Sequence, residues 1–115
     1  MNGTVSYEAA TKTVTFDNVE VVVRGVRRIL GNENVPGLKI VFTGRNTFKC
    51  NLASIWSEKD ITLTGDGSLA ATTDDEGIGL KGCTCTINGP QLDITADYPI
   101  YDYTYSTLKV NGSST

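Results

Sequence analysis

Ile40-Val41-Phe42-Thr43-Gly44 and Ile61-Thr62-Leu63-Thr64-Gly65 have the same form: two apolar residues two positions apart, then a glycine two positions on. The pattern recurs as Val14-x-Phe16-x-Asn18, Cys85-x-Ile87-x-Gly89 and Leu108-x-Val110-x-Gly112. Its turn residue therefore falls at 18, 44, 65, 89 and 112, with spacings of 26, 21, 24 and 23 residues. Alternating apolar and polar side chains make a strand with one buried face, and Gly or Asn ends it where a positive φ costs little. The match continues past the turn. Val22, Phe48 and Leu69 stand four residues on, with Leu92 three on, and they open the runs Phe48-x-Cys50-x-Leu52, Leu69-x-Ala71 and Leu92-x-Ile94-x-Ala96. Farther along, Ile29, Ile55 and Ile100 lie 11 residues past their turn and Ile78 lies 13 past. Each unit thus carries three apolar strand segments.

A unit of 21 to 26 residues with three short strands matches one coil of a right-handed parallel β-helix, an all-β solenoid in which each coil stacks on the one before. Side chains at equivalent positions then sit about 4.8 Å apart in columns. The expected inner columns are Val14/Ile40/Ile61/Cys85/Leu108, Phe16/Phe42/Leu63/Ile87/Val110 and Ile29/Ile55/Ile78/Ile100. The 115 residues make one domain, 1–115, of about four to five coils. An antiparallel β-sandwich or roll is the alternative, because regularly spaced short strands suit it too. Sixteen threonines and an abundance of Val, Ile and Tyr favour strands in either case.

Charge and composition remove several function classes. Ten Lys and Arg against thirteen Asp and Glu give a formal charge of −3, without the basic footprint of a nucleic-acid binder. No apolar run nears the roughly 20 residues that span a bilayer as a helix, so membrane insertion is not expected. The chain has no histidine, which excludes Ser-His-Asp and Cys-His nucleophiles and His-ligated zinc. With three cysteines, one thiol has no partner within the chain. Cys83 and Cys85 share a strand face, where a bond between them would be strained, so all three read as small buried hydrophobes.

Two groups of residues are candidates for a site. Asp74-Asp75-Glu76 is the densest acidic group. It is either a solvated loop or a set of oxygen ligands for a hard cation such as calcium. Arg24, Arg27 and Arg28 form a small basic cluster that reads as a solvated face. In the isoleucine column the next residue points outward and reads Leu30, Trp56, Gly79 and Tyr101 in successive coils. Trp56 and Tyr101 would then share one outer face, two coils or roughly 10 Å apart. With Tyr98 and Tyr103 nearby, they make a candidate aromatic platform for sugar rings. No set of residues stands out as catalytic.

The runs Val5-Ser-Tyr-Glu-Ala-Ala-Thr-Lys-Thr-Val-Thr-Phe-Asp-Asn18, Gly37-Leu-Lys-Ile-Val-Phe-Thr-Gly-Arg-Asn-Thr47, Ile61-Thr-Leu-Thr-Gly-Asp-Gly-Ser-Leu69 and Leu108-Lys-Val-Asn-Gly-Ser-Ser114 resemble the repeats of surface or secreted proteins of gut and other anaerobic bacteria. Many of those are described as containing carbohydrate-binding domains. The resemblance implies a right-handed β-helix, an extracellular or cell-surface location and calcium-assisted glycan binding. The expected function is a non-catalytic glycan-binding or adhesive module with a polysaccharide as ligand. A structural, self-assembling β-helix segment with no ligand is the alternative, and a polysaccharide lyase or hydrolase fragment is a third reading. The last coil stops after its first strand, leaving the Leu108/Val110 layer uncovered. Association with another copy or with neighbouring repeats at that end is therefore expected, as is a longer secreted parent protein.

Overall fold

A computed structural model describes residues 2–23, 28–103 and 107–111. In chain order the strands are β1 (Asn2–Glu8), β2 (Thr13–Val22), β3 (Arg28–Asn32), β4 (Leu38–Thr43), β5 (Arg45–Cys50), β6 (Ala53–Ser57), β7 (Ile61–Thr64), β8 (Ser68–Thr73), β9 (Glu76–Lys81), β10 (Thr84–Asn88), β11 (Gln91–Thr95), β12 (Tyr98–Tyr103) and β13 (Thr107–Asn111). No helix occurs among the described residues. Every pairing is parallel except that of β1 with β2. An antiparallel sandwich or roll is therefore not what the chain forms.

The strands stack into three faces of a parallel β-solenoid. The first face runs β2, β4, β7, β10 and β13; the second runs β2, β5, β8 and β11; the third runs β3, β6, β9 and β12. Strand β2 belongs to two faces because it passes the first corner unbroken at Asn18, whose φ is 53°. The solenoid makes about three turns, each of three separate strands: β4 to β6, β7 to β9 and β10 to β12. The expected four to five coils counted repeat starts, and these include the fused first coil and β13, which only opens another turn.

The observed registers shift three of the expected columns. Ile40 pairs with Leu63 and Leu38 with Ile61, so the columns are Val14/Ile40/Leu63/Ile87/Val110 and Leu38/Ile61/Cys85/Leu108. The cause is the corner Gly65-Asp66-Gly67. Gly67, not Gly65, lies beside Gly44, and a Cβ on Gly67 would stand 2.5 Å from the Gly44 carbonyl oxygen. Because side chains alternate with period two, a two-residue shift keeps every apolar residue on the inside. On the second face Val21 rather than Val22 is level with Phe48, and Phe48 is level with Ala71. On the third face Leu30, not Ile29, pairs with Ile55. From Val22 to Arg28 is six positions, where the paired stretch from Lys49 to Ala53 takes four, so the first coil is two residues longer at that corner.

The lumen is apolar and close-packed. Phe16, Phe42 and Phe48 form one aromatic cluster, with ring centroids 5.6 Å apart for Phe16 and Phe42 and 5.1 Å for Phe16 and Phe48. Edge-on and offset contacts at such distances add to the burial energy of the rings. Polar groups inside are satisfied at the corners. Asn46, 1% exposed, accepts from the Val19 N–H at 2.9 Å and donates to the carbonyls of Thr43 at 3.2 Å and Ser68 at 3.1 Å, tying three successive coils together. Asn32 closes a corner after the third face within its own coil, donating to the Val35 carbonyl and accepting from the Val35 N–H, and also reaches Ser57 Oγ of the next coil at 3.4 Å. A buried amide whose capacity is used in this way fixes a corner that apolar packing alone would leave free to shift.

Candidate functional site

The third face carries the aromatic residues singled out by the sequence. The register of this face aligns Gly31, Trp56, Gly79 and Tyr101, with Gly31 in the place expected for Leu30. Trp56 does not stand free above the sheet. It is 7% exposed, and a Cβ on Gly79 would lie 2.6 Å from its Cε3 atom and 3.4 Å from the Glu76 carboxyl carbon. The indole thus lies across the glycine, with its N–H donating to Glu58 at 3.3 Å. All five residues of β6 are buried, as are Glu76 to Leu80 of β9, so this stretch of sheet is covered on both sides. Tyr98 is half-exposed at the start of β12. The side chains of Tyr101 and Tyr103 lie outside the described residues, as do Arg24 and Arg27.

The acidic run is split by the corner between the second and third faces. Asp74 is exposed, Asp75 half-buried and Glu76 only 3% exposed beside Gly79. Among the described residues, no three of His, Cys, Asp and Glu gather in a way that could hold a metal ion. The Glu76 Oε2, Ser54 Oγ and Thr73 Oγ1 atoms are buried without a hydrogen-bond partner. The three cysteines are buried and form no disulfide, and the Cys83 thiol donates to the Ser57 carbonyl at 3.4 Å. Burial, with Cys83 adjacent, pushes the Cys85 thiol up to about 12, and burial also raises Cys50. Both are thiols rather than thiolates at neutral pH, so neither is a ready nucleophile.

The outer side of the second face is different. Its strands alternate, with Asn46, Phe48 and Cys50, then Leu69, Ala71 and Thr73, turned inward and buried. Turned outward are three cross-coil rows: Arg45, Ser68 and Gln91; Thr47, Ala70 and Asp93; Lys49, Thr72 and Thr95. Two shallow clefts open on this face. One, of about 300 Å³, is lined by Val22, Val23, Lys49, Cys50, Asn51, Thr72 and Asp74. The other, of about 260 Å³, is lined by Ser68, Leu69, Ala70, Gln91, Leu92 and Asp93. Both use β8, the first near Thr72 and the second near Ser68 and Ala70, so they lie diagonally across one surface.

The rims mix an ammonium, carboxylates, amides and hydroxyls, with Val22 as the exposed apolar side chain of the first cleft. Two cations, Arg45 and Lys49, face two carboxylates, Asp74 and Asp93, so the surface has no strong field of one sign. Such a set can donate to and accept from many hydroxyl groups at once. Reading the sequence for aromatic residues passed over Lys49, Asn51, Thr72 and Gln91. The available signal was the polar half of the alternation in 45–50, 68–73 and 91–95. No family model matches this sequence, and neither the curated proteins nor the solved structures compared with it include a match.

Proposed function

We propose that the chain is a non-catalytic glycan-binding or adhesive module that takes a polysaccharide along the outer side of β5, β8 and β11. The observation that carries this reading is that both clefts open on one face whose outward side chains carry charges of both signs in near balance and are rich in hydrogen-bonding groups. A neutral, hydroxyl-rich ligand suits that surface; a phosphate backbone would meet Asp74 and Asp93. Within each row the side chains stand about 4.8 Å apart along the solenoid axis, so an extended chain of repeating units meets another side chain at each step. The rows differ in residue type, which favours a defined ligand direction. A place on a cell surface or in a secreted protein of a bacterium accords with this role and with the resemblance of the repeats.

The test is a glycan array followed by calorimetry with the best oligosaccharide. Replacing Lys49→Ala and Asp93→Ala together, one from each cleft, is expected to weaken binding by about tenfold or more, or about 1.4 kcal/mol. The circular dichroism spectrum should be unchanged, because both side chains are exposed. An array with no binding overturns the proposal. So does binding that survives the double substitution but is lost in Tyr98→Ala, which would move the site to the half-exposed tyrosine of β12.

A further inference from the structure

The two clefts of the second face have unlike linings. Val22, Lys49, Thr72 and Thr95 share one outward row, and Asn51 and Asp74 each stand two positions beyond it, where β5 and β8 give way to the corner. The first cleft lies over Val22, Lys49 and Thr72 of that row and over these two residues. The second lies at the other end of the strands, over Ser68, Ala70, Gln91 and Asp93. By strand and coil spacing the two are about 14 Å apart, so a single sugar unit fills only one of them.

Their chemistry decides what each can take. Val22 is 55% exposed, an apolar side chain held in water at the edge of the first cleft. Lys49, Asn51, Thr72 and Asp74 around it are all exposed, and they offer a cation, an amide, a hydroxyl and a carboxylate. Between the rows lies Cys50, 6% exposed, whose thiol is raised by burial and further by the charge of Asp74. That carboxylate therefore stands near the cleft floor. In the second cleft Leu69 is buried and Leu92 half-buried, and Asp93 is the charged group of a lining completed by Ser68, Ala70 and Gln91.

An apolar group, a donor and an acceptor set side by side match a secondary amide that ends in a methyl group. A hydroxyl in the first cleft would be satisfied by Lys49, Asn51 or Asp74 but would leave Val22 in water. A carboxylate would face Asp74 and an ammonium would face Lys49, so either ion meets a charge of its own sign. An acetamido group is neutral and supplies all three parts. Its methyl covers Val22, its carbonyl accepts from Lys49 or Asn51, and its N–H donates to Asp74. In the second cleft Ser68, Gln91 and Asp93 serve hydroxyl groups without an exposed large apolar neighbour.

We propose that the first cleft is a subsite for the acetamido group of an N-acetylated amino sugar, and that the second takes a hydroxyl-bearing unit farther along the same chain. The inference rests on the reading of this face as a glycan site and names the sugar class it prefers. Covering one methyl group in an open cleft discriminates by about tenfold, the low end of what a methylene gives in a closed pocket.

The test is a glycan array carrying N-acetylglucosamine, glucosamine and glucose oligomers in several linkages, then calorimetry with hexamers of these three sugars in the linkage that binds best. The N-acetylglucosamine hexamer is expected to bind about tenfold more tightly than either of the others. Val22→Ser should bring the N-acetylglucosamine and glucose hexamers within about threefold of each other, with the circular dichroism spectrum unchanged because Val22 is exposed. Asp93→Ala, in the second cleft, should weaken all three alike and keep the preference. No binding to any glycan on the array overturns the glycan reading and this proposal with it. Binding without a preference for acetamido sugars, or a preference that Val22→Ser does not reduce, leaves the glycan reading standing and overturns this proposal alone.

Discussion

The second and third faces of the solenoid enclose the same lumen with strands of similar length, yet their outer sides are opposites. On the second face every other residue of β8 and β11 meets water, and the outward rows are Arg, Lys, Thr, Ser, Gln and Asp with one Ala. On the third face β6 and most of β9 are buried on both sides, and the outward residues are Ser54, Trp56, Gly77 and Gly79. Gly79 and Trp56 form a close fit, with a flat ring lying on backbone that has no side chain to hold it away. Alternation in a strand reports which residues enter the lumen. It says nothing about whether the other side stays wet, and here that difference separates a packing surface from a surface free to bind.

The largest effect expected from probing this contrast is at Trp56. Trp56→Ala removes a buried ring and leaves its space above Gly79, so it should cost about 3–5 kcal/mol, read as a lower midpoint in urea unfolding. A cost under about 1 kcal/mol would mean that the ring is replaceable by water, as on an exposed platform. Gly79→Val comes next. The new Cβ meets Cε3 of Trp56 at 2.6 Å, and the indole must move to make room, an overpacking strain of about 1–3 kcal/mol. The same assay checks it, and loss of tryptophan fluorescence protection from a quencher should accompany the loss of stability.

The three strands per unit, the parallel solenoid and much of the membership of the lumen were legible because apolar residues alternate in most segments. The coil-to-coil registers were less so. Gly44, Gly65 and Gly67 are all credible corner residues in sequence, and a shift of two keeps the pattern intact. Val21-Val22-Val23 gives no alternation from which to choose the inward residue, although only Val21 joins the core. Asn46 sits in Arg45-Asn46-Thr47 like a surface residue, yet it is buried because its amide is used by three coils. Trp56 occupied the predicted row, but what closed over it is a property of tertiary packing and glycine placement. The polar rows of the second face were readable as outward, but clefts arise from how neighbouring side chains stack, and no single coil contains that.

The smallest effect, and the most discriminating beside Gly79→Val, is expected from Ala70→Val. Ala70 sits in the middle of the second face, in a row with Thr47 and Asp93 and on a central strand paired on both edges. It is exposed, so the added methyl groups meet water rather than a ring and no overpacking arises. Val is also the better strand former, because its branched side chain is already restricted in the unfolded chain and packs against same-face neighbours. The two terms predict a stability change within about 0.5 kcal/mol, leaning toward stabilisation. The same residue type introduced at the centre of two parallel faces, Ala70→Val and Gly79→Val, should thus separate by about 1–3 kcal/mol in urea unfolding. If Ala70→Val instead costs as much as Gly79→Val, the second face is covered as well, and its clefts cannot be open to a glycan. If both are harmless, Trp56 does not lie against Gly79 and the contrast between the faces disappears.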